Sequence, residues 1–294
     1  MRRILVILTA AALASLTAVA EPPPADPQPS LEAVLGKDTV AKKDIAYGKD
    51  DKQKLDVYSP KGAKELPVVV YVHGGEWTKG DKSEVSYKPR FFNENGIVFV
   101  SVNYRLAPAA QHPAHVSDVA AAVRWVVDHV AEYGGDPKKI VLMGHSAGCH
   151  LVALATLDPQ YLAKVGLKPA DLRGVVAWSG GSFDLVHKAK VDEPFAEYIR
   201  NAFGKSEDAW RDASPVSHAK NAKACPPYLF VTADPEGDSF KIASGLAKQI
   251  NDADGKATTH VLKDRTHKTA NHLLGSPDDK TGATLLAFVR DATK

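Results

Sequence analysis

Residues 140–157 read IVLMGHSAGCHLVALATL, and the fold turns on how they are interpreted. Ile140, Val141, Leu142 and Met143 form a short apolar run of the kind that makes a strand buried on both faces, and residues 147–157 continue as an aliphatic, small-residue helix. Between the two, Gly144-His145-Ser146-Ala147-Gly148 must turn the chain sharply. A serine on such a turn is held in a strained backbone conformation, and side chains two positions before and after it would collide, so both positions need glycine. The turn lifts the hydroxyl above the sheet at a helix N-terminus, where free N–H groups favour developing negative charge. Ser146 is therefore the candidate nucleophile.

Outward from this turn, further apolar runs at 67–72, 97–102, 175–178 and 228–232 predict buried parallel strands. A weaker strand is expected at 259–262, and one at 54–58, where Leu55 and Val57 face one way. Helical periodicity is clearest over 115–133, where Val116, Val119, Ala120, Val123, Val126, Val127 and Val130 recur at three- and four-residue spacing, and returns at 240–251 and 281–291. Alternating strand and helix imply an α/β fold, a mainly parallel sheet with helices on both faces and its ligand site at the carboxyl ends of the strands. Residues 183–220 break the alternation with Pro194, Gly204 and Pro215 and read as a small cap insertion over the site.

Serine is a weak nucleophile at neutral pH, so acyl transfer needs a base and donors for the oxyanion. Donors are offered by His73-Gly74-Gly75-Glu76-Trp77 at the end of strand 67–72, where Gly74 and Gly75 let the backbone approach a substrate carbonyl, and by the N–H of Ala147. Of the 11 histidines, His267 stands in the loop after the last strand, where a Ser, acid, His order places the base; His260 lies within that strand and His145 and His150 flank the nucleophile. The acid should follow strand 228–232, where Asp234, Glu236 and Asp238 all qualify. A carboxylate facing the oxyanion would oppose catalysis, so Glu76 is expected to turn toward Lys79, Lys82 or solvent.

The ends and the composition bound the rest. Residues 1–20 begin with Arg2 and Arg3, continue apolar and end Ala18-Val19-Ala20, the pattern of a cleaved signal peptide, which implies a periplasmic or secreted protein. Residues 21–30, EPPPADPQPS, read as a Pro-rich disordered leader, and 31–294 as one catalytic domain. Without the first twenty residues, which carry two arginines and no acid, basic and acidic side chains balance, so no electrostatic case exists for nucleic acid or an anionic membrane surface. Cys149 and Cys225 are expected not to pair, and no cluster at metal-ligand spacing occurs, so neither metal nor organic cofactor is expected.

Leu55-Asp56-Val57-Tyr58, His73-Gly74-Gly75, Asn103-Tyr104-Arg105-Leu106-Ala107-Pro108, the Gly144–Gly148 turn, Pro226-Pro227-Tyr228-Leu229 and Thr266-His267 together resemble the α/β-hydrolases of the carboxylesterase and hormone-sensitive-lipase-like group. The resemblance is close to bacterial feruloyl and acetyl esterases and to kynurenine formamidases. It covers nearly all of residues 50–292. It implies an α/β-hydrolase fold and a Ser146–His267–acid triad cleaving a small-molecule carboxylic ester through an acyl-enzyme, with Gly74, Gly75 and Ala147 holding the oxyanion. An arylformamidase or amidase with the same triad is the alternative activity, and a catalytically silent binding protein the alternative from another class. Within this resemblance the acid stands three residues after Ala233, at Glu236, with Asp238 as the alternative; Asp234 precedes Pro235 and serves the turn. Glu76 departs from the group, which often carries an uncharged residue there.

Overall fold

The computed structural model describes residues 34–233 and 237–294. The expected signal peptide and leader, and two of the three candidate acids, Asp234 and Glu236, lie outside the described residues.

Eight strands form one sheet: β1 (Thr39–Ala46), β2 (Lys54–Pro60), β3 (Leu66–Val72), β4 (Val98–Val102), β5 (Gly135–His145), β6 (Gly174–Trp178), β7 (Tyr228–Thr232) and β8 (Ala257–Val261). Their order is β1-β2-β4-β3-β5-β6-β7-β8. From β4 to β8 every pairing is parallel, while β1 and β2 run antiparallel at one edge. The buried runs of the sequence became the central strands. β1, TVAKKDIA, gives no such run because none of its side chains is fully buried, and its lysines suit an edge that must not pair with another chain.

Helices α1 (Lys88–Glu94), α2 (Ala114–His129), α3 (Ala147–Leu157), α4 (Gln160–Ala163), α5 (Leu185–Val191), α6 (Glu193–Phe203), α7 (Glu207–Asp212), α8 (Asp238–Asp252), α9 (His267–His272) and α10 (Gly282–Ala292) connect or cover the strands. Strand side chains alternate between faces, so each strand feeds two cores. Val68, Val70, Val72, Leu142 and Phe230 pack with Val116, Leu151 and Leu246 of α2, α3 and α8, whereas Val69, Tyr71, Met143 and Val231 pack with Phe92 of α1 and Leu285 and Val289 of α10. The helix expected over 115–133 ends at His129 and closes with a 3-10 turn at Val130–Tyr133, where Gly134 adopts φ 80°. Residues 183–220 fold as α5, α6, α7 and the start of a 3-10 segment, and Phe195 and Phe203 of α6 pack edge-on against Trp77 beside the glycine loop.

Four imidazoles are buried among the described residues, His145 beside Ser146 and three others. Desolvation pushes His73 and His115 down to about 4 and His150 to about 3, so all three are neutral in the folded protein. Their folded values lie below the unfolded one, so the stability they contribute is complete above about pH 6.5 and is lost as pH falls toward the folded values. Urea unfolding at a series of pH values is expected to show the unfolding free energy dropping between about pH 6.5 and 4 by several kcal/mol, with a shallower drop for His150→Gln. A flat profile over that range would contradict neutral burial.

Candidate active site

Ser146 sits between β5 and α3 with φ 53° and ψ −118°, a conformation that L-residues rarely adopt. The steric reason for the flanking glycines is explicit. A Cβ on Gly144 would lie 2.2 Å from the Gly148 carbonyl oxygen, and one on Gly148 would lie 2.1 Å from the carbonyl oxygen of Val72, on the neighbouring strand β3. The turn thus fits directly against the end of β3, from which the glycine loop departs.

In that loop Gly74 brings its backbone against the serine: a Cβ there would stand 2.8 Å from Cβ of Ser146. Gly75 adopts φ 110° and its carbonyl accepts hydrogen bonds from the N–H groups of Thr78 and Lys79, which folds the loop into one turn. His73 fixes the approach, its Nδ1 donating to the Gly74 carbonyl at 2.7 Å while its ring stacks on Tyr104. Ala147, the first residue of α3 and the one after Ser146, has an N–H with no intrahelical acceptor.

The loop is tied to the sheet by a polar network. Lys82 pairs with the buried carboxylate of Asp56 on β2 at 2.7 Å and with Asp44 at 2.8 Å. Asn103 accepts from the Lys82 N–H and donates to Asp81, and the Ala107 N–H donates to the Trp77 carbonyl. Arg105 makes a two-pronged bond with Asp118 of α2. Of these, Asp56, Asn103, Arg105 and Ala107 are among the residues that carry the family resemblance, and Asp56, Asn103 and Ala107 hold the segment 77–82 that continues the glycine loop.

His267 reaches the serine from the other side, its Nε2 3.1 Å from Ser146 Oγ. It occupies the first position of the short helix α9, a correction to the loop expected after the last strand. Thr266 caps this helix by accepting from the Thr269 N–H. Because six residues do not sustain a helix alone, α9 is clamped by buried donors: Trp178 Nε1 to the Ala270 carbonyl at 2.8 Å, Lys88 Nζ to the Asn271 carbonyl at 2.8 Å, and Tyr71 hydroxyl to Asn271 Oδ1 at 2.9 Å. Lys88 is fully buried, and desolvation lowers its amine to about 7.

Nδ1 of His267 meets the hydroxyl of Ser179, at 3.2 Å, rather than a described carboxylate. Asp238 opens α8, exposes most of its side chain and stands 3.8 Å from Lys241, although it lines the same cleft. Glu236, the preferred acid, is outside the described residues. One edge of His267 is open to the cleft, yet withdrawal from water lowers its pKa below the ordinary imidazole value, with the Glu76 carboxylate opposing. Neighbouring His145 is driven well below that value by burial and by His267, its ring 4.9 Å away.

Glu76 follows its expectation only in part. Its carboxylate pairs with Lys79 at 3.1 Å, but the residue stays at the cleft, lining both arms beside Ser146 and His267. One arm, about 540 Å³, runs past Tyr71, Glu84, Lys268 and His272; the other, about 250 Å³, passes Lys188, Phe195, Ser182 and Ile242. Cys149 and Cys225 are both free thiols, their Sγ atoms donating to the carbonyls of Gly144 and Thr156. Among the described residues no group of three or more His, Cys, Asp or Glu could hold a metal ion.

Ser179 and the clamp on α9 escaped the sequence reading. The one signal for Ser179 is its place directly after the strand at 175–178 and before Gly180-Gly181, at the sheet end where ligand sites form. Nothing local marks Lys88 or Asn271, which meet the site from 183 residues apart.

The fold and the elbow at Ser146 define an α/β-hydrolase. The chain belongs to the BD-FAE family, whose model matches residues 55–238. It is 36% identical over 246 residues to the probable isoprenylcysteine alpha-carbonyl methylesterase ICMEL1 of Arabidopsis thaliana, covering 77% of this chain and 50% of that protein. It is 30% identical over 226 residues to esterase LipC of Mycobacterium tuberculosis, covering 73% of this chain and 56% of that protein. The chain spans about half the length of the curated relatives it matches. The crystal structure of esterase B from Lactobacillus rhamnosis superposes with a TM-score of 0.74 at 18% identity, over 88% of this chain and 87% of that one, which is a likeness of fold.

Gly148→Ala is expected to lower the melting temperature by roughly 4–8 °C, since its methyl group must displace β3 or the turn. Differential scanning calorimetry measures this, and an unchanged Tm would mean that the turn has room the geometry denies it.

Proposed function

We propose that this protein is an exported serine esterase that hydrolyses small carboxylic esters through an acyl-enzyme. The observation that carries the reading is the 3.1 Å contact between His267 Nε2 and the hydroxyl of Ser146, made at a strained turn facing a glycine loop. In this mechanism neutral His267 accepts the Ser146 proton as the oxygen attacks the ester carbonyl. The N–H groups of Gly74, Gly75 and Ala147 stabilise the tetrahedral oxyanion. Its collapse breaks the bond to the alcohol, which leaves with the proton held by His267. Water, deprotonated by the same imidazole, then attacks the acyl-serine, and a second collapse releases the acid and restores the serine.

Glu236, with Asp238 as the alternative, supplies the carboxylate that stabilises the imidazolium. The 540 Å³ arm carries Glu84, Lys268, Asn271 and His272 in its lining, which favours short acyl groups on hydrophilic alcohols over long aliphatic chains. Export is supported by the basic start and Ala18-Val19-Ala20 of residues 1–20. Among the described residues, no helix is long and apolar enough to cross a membrane.

Ser146→Ala is expected to reduce kcat for p-nitrophenyl acetate by about 10⁴-fold or more at an unchanged Tm; near-native turnover would sink the proposal. Because the base must be neutral and its pKa is lowered, kcat/KM should rise with pH to a half-maximal value below about 6.5. A half-maximal pH well above 7 would point to a different base. Glu236→Gln and Asp238→Asn assign the acid, since the true partner should lose far more kcat/KM than the other. Intact mass of the exported protein is expected to correspond to a chain starting at Glu21, and retention of residues 1–20 would refute cleavage.

A further inference from the structure

We propose that Ser179 is a positioning residue for the general base: its hydroxyl holds the Nδ1 edge of His267 so that Nε2 faces Ser146. This rests on the reading of His267 as the base of Ser146.

The clamp on α9 fixes the backbone of His267 but not its ring, which can still turn about its side-chain torsions. Among the described residues, three contacts restrain that ring: Nε2 to Ser146 at 3.1 Å, Nδ1 to Ser179 at 3.2 Å, and the His145 ring beside it. The first is broken and remade during turnover, so of these the Ser179 contact is a hydrogen bond that can persist while the proton moves. For Nε2 to accept the serine proton, Nδ1 must carry hydrogen, and the Ser179 oxygen, 3.2 Å away, is then an acceptor for it beside the proposed triad carboxylate.

The placement of Ser179 has the marks of a specified feature. It is buried at the carboxyl end of β6, its N–H donates to the Val231 carbonyl at 2.7 Å, and its φ is 57°, a region that glycine occupies without strain. The two residues that follow are glycines, yet this position carries a serine whose hydroxyl meets the imidazole. Backbone strain of this kind is retained where surrounding structure needs the side chain. A hydroxyl is a neutral acceptor and leaves the stabilisation of the imidazolium to the carboxylate, so Ser179 orients the ring and does not replace the acid.

Two substitutions separate orientation from structure. Ser179→Ala removes the hydroxyl, and Ser179→Gly removes it while relieving the positive φ, so the glycine variant should fold at least as stably as the parent. Both are expected to lower kcat on p-nitrophenyl acetate about ten- to a hundredfold with KM within about twofold. An N–H···O bond is stronger from imidazolium than from imidazole, so its loss should move the acid limb of kcat/KM to lower pH. That limb belongs to His267 amid Glu76, His145, Lys188, Asp238, Lys268 and His272 of the described residues and the proposed acid Glu236, none of which either substitution replaces. An unchanged kcat and acid limb in the glycine variant would overturn the proposal, as would a change confined to KM or a loss of kcat with an unmoved limb. Ser146→Ala measured alongside keeps the two readings apart: an inactive Ser146→Ala with native-like Ser179 variants rejects the positioning role alone, while an active Ser146→Ala rejects the esterase reading itself.

Discussion

The site depends on a contact between two pieces of backbone: the turn carrying Ser146 lies so close to the end of β3 that Gly148 has no room for a side-chain carbon beside the Val72 carbonyl. That closeness sets Ser146 beside the glycine loop, because the loop begins one residue after Val72. The strain at Ser146 is maintained from both sides, by the parallel pairing of β5 with β3 and β6 and by α3, whose eleven residues are all buried. Packing energy spread over a whole helix holds a backbone conformation that a few local residues could not.

Electrostatics work on a second level. The glycine loop contains few apolar anchors besides Trp77, so its position is set by charge and hydrogen bonding: Lys82 against buried Asp56, Asn103 against Asp81, and Tyr104 stacked on His73. A buried carboxylate of this kind is tolerable only while its partner is present, which makes the loop geometry sharply defined rather than adjustable. Around His267 the balance runs the other way. Burial strips the nearby imidazoles of charge, so His145 lies neutral under His267, where a cation would oppose formation of the imidazolium.

Two ends of the chain build one site. Residues 73–77 and 144–148 come from adjacent strands in the first half, while His267 arrives on a six-residue helix near the C-terminus that borrows its stability from Trp178, Lys88 and Tyr71. His267 is therefore as well placed as those three donors, two of which lie in the first third of the sequence. Ser179 belongs to the same division of labour, sitting at the next strand end along the sheet.

The amino-acid sequence by itself determined the central strands and long helices, the sharp Gly144–Gly148 turn and the glycine loop after β3. Each of these is written in a local rule: uninterrupted apolar runs for strands buried on both faces, three- and four-residue spacing for helices, and glycine wherever a backbone must come close or adopt positive φ. The sequence left β1 unread because an edge strand with no fully buried side chain has no apolar pattern to betray it. Only the tertiary structure decided that Ser179 meets His267, that Lys88 and Tyr71 secure Asn271, and that Lys82 neutralises Asp56. Those contacts join residues 26 to 200 positions apart, and a hydrogen bond between distant residues leaves no periodicity in the chain; it exists only once the sheet has set which strand ends are neighbours.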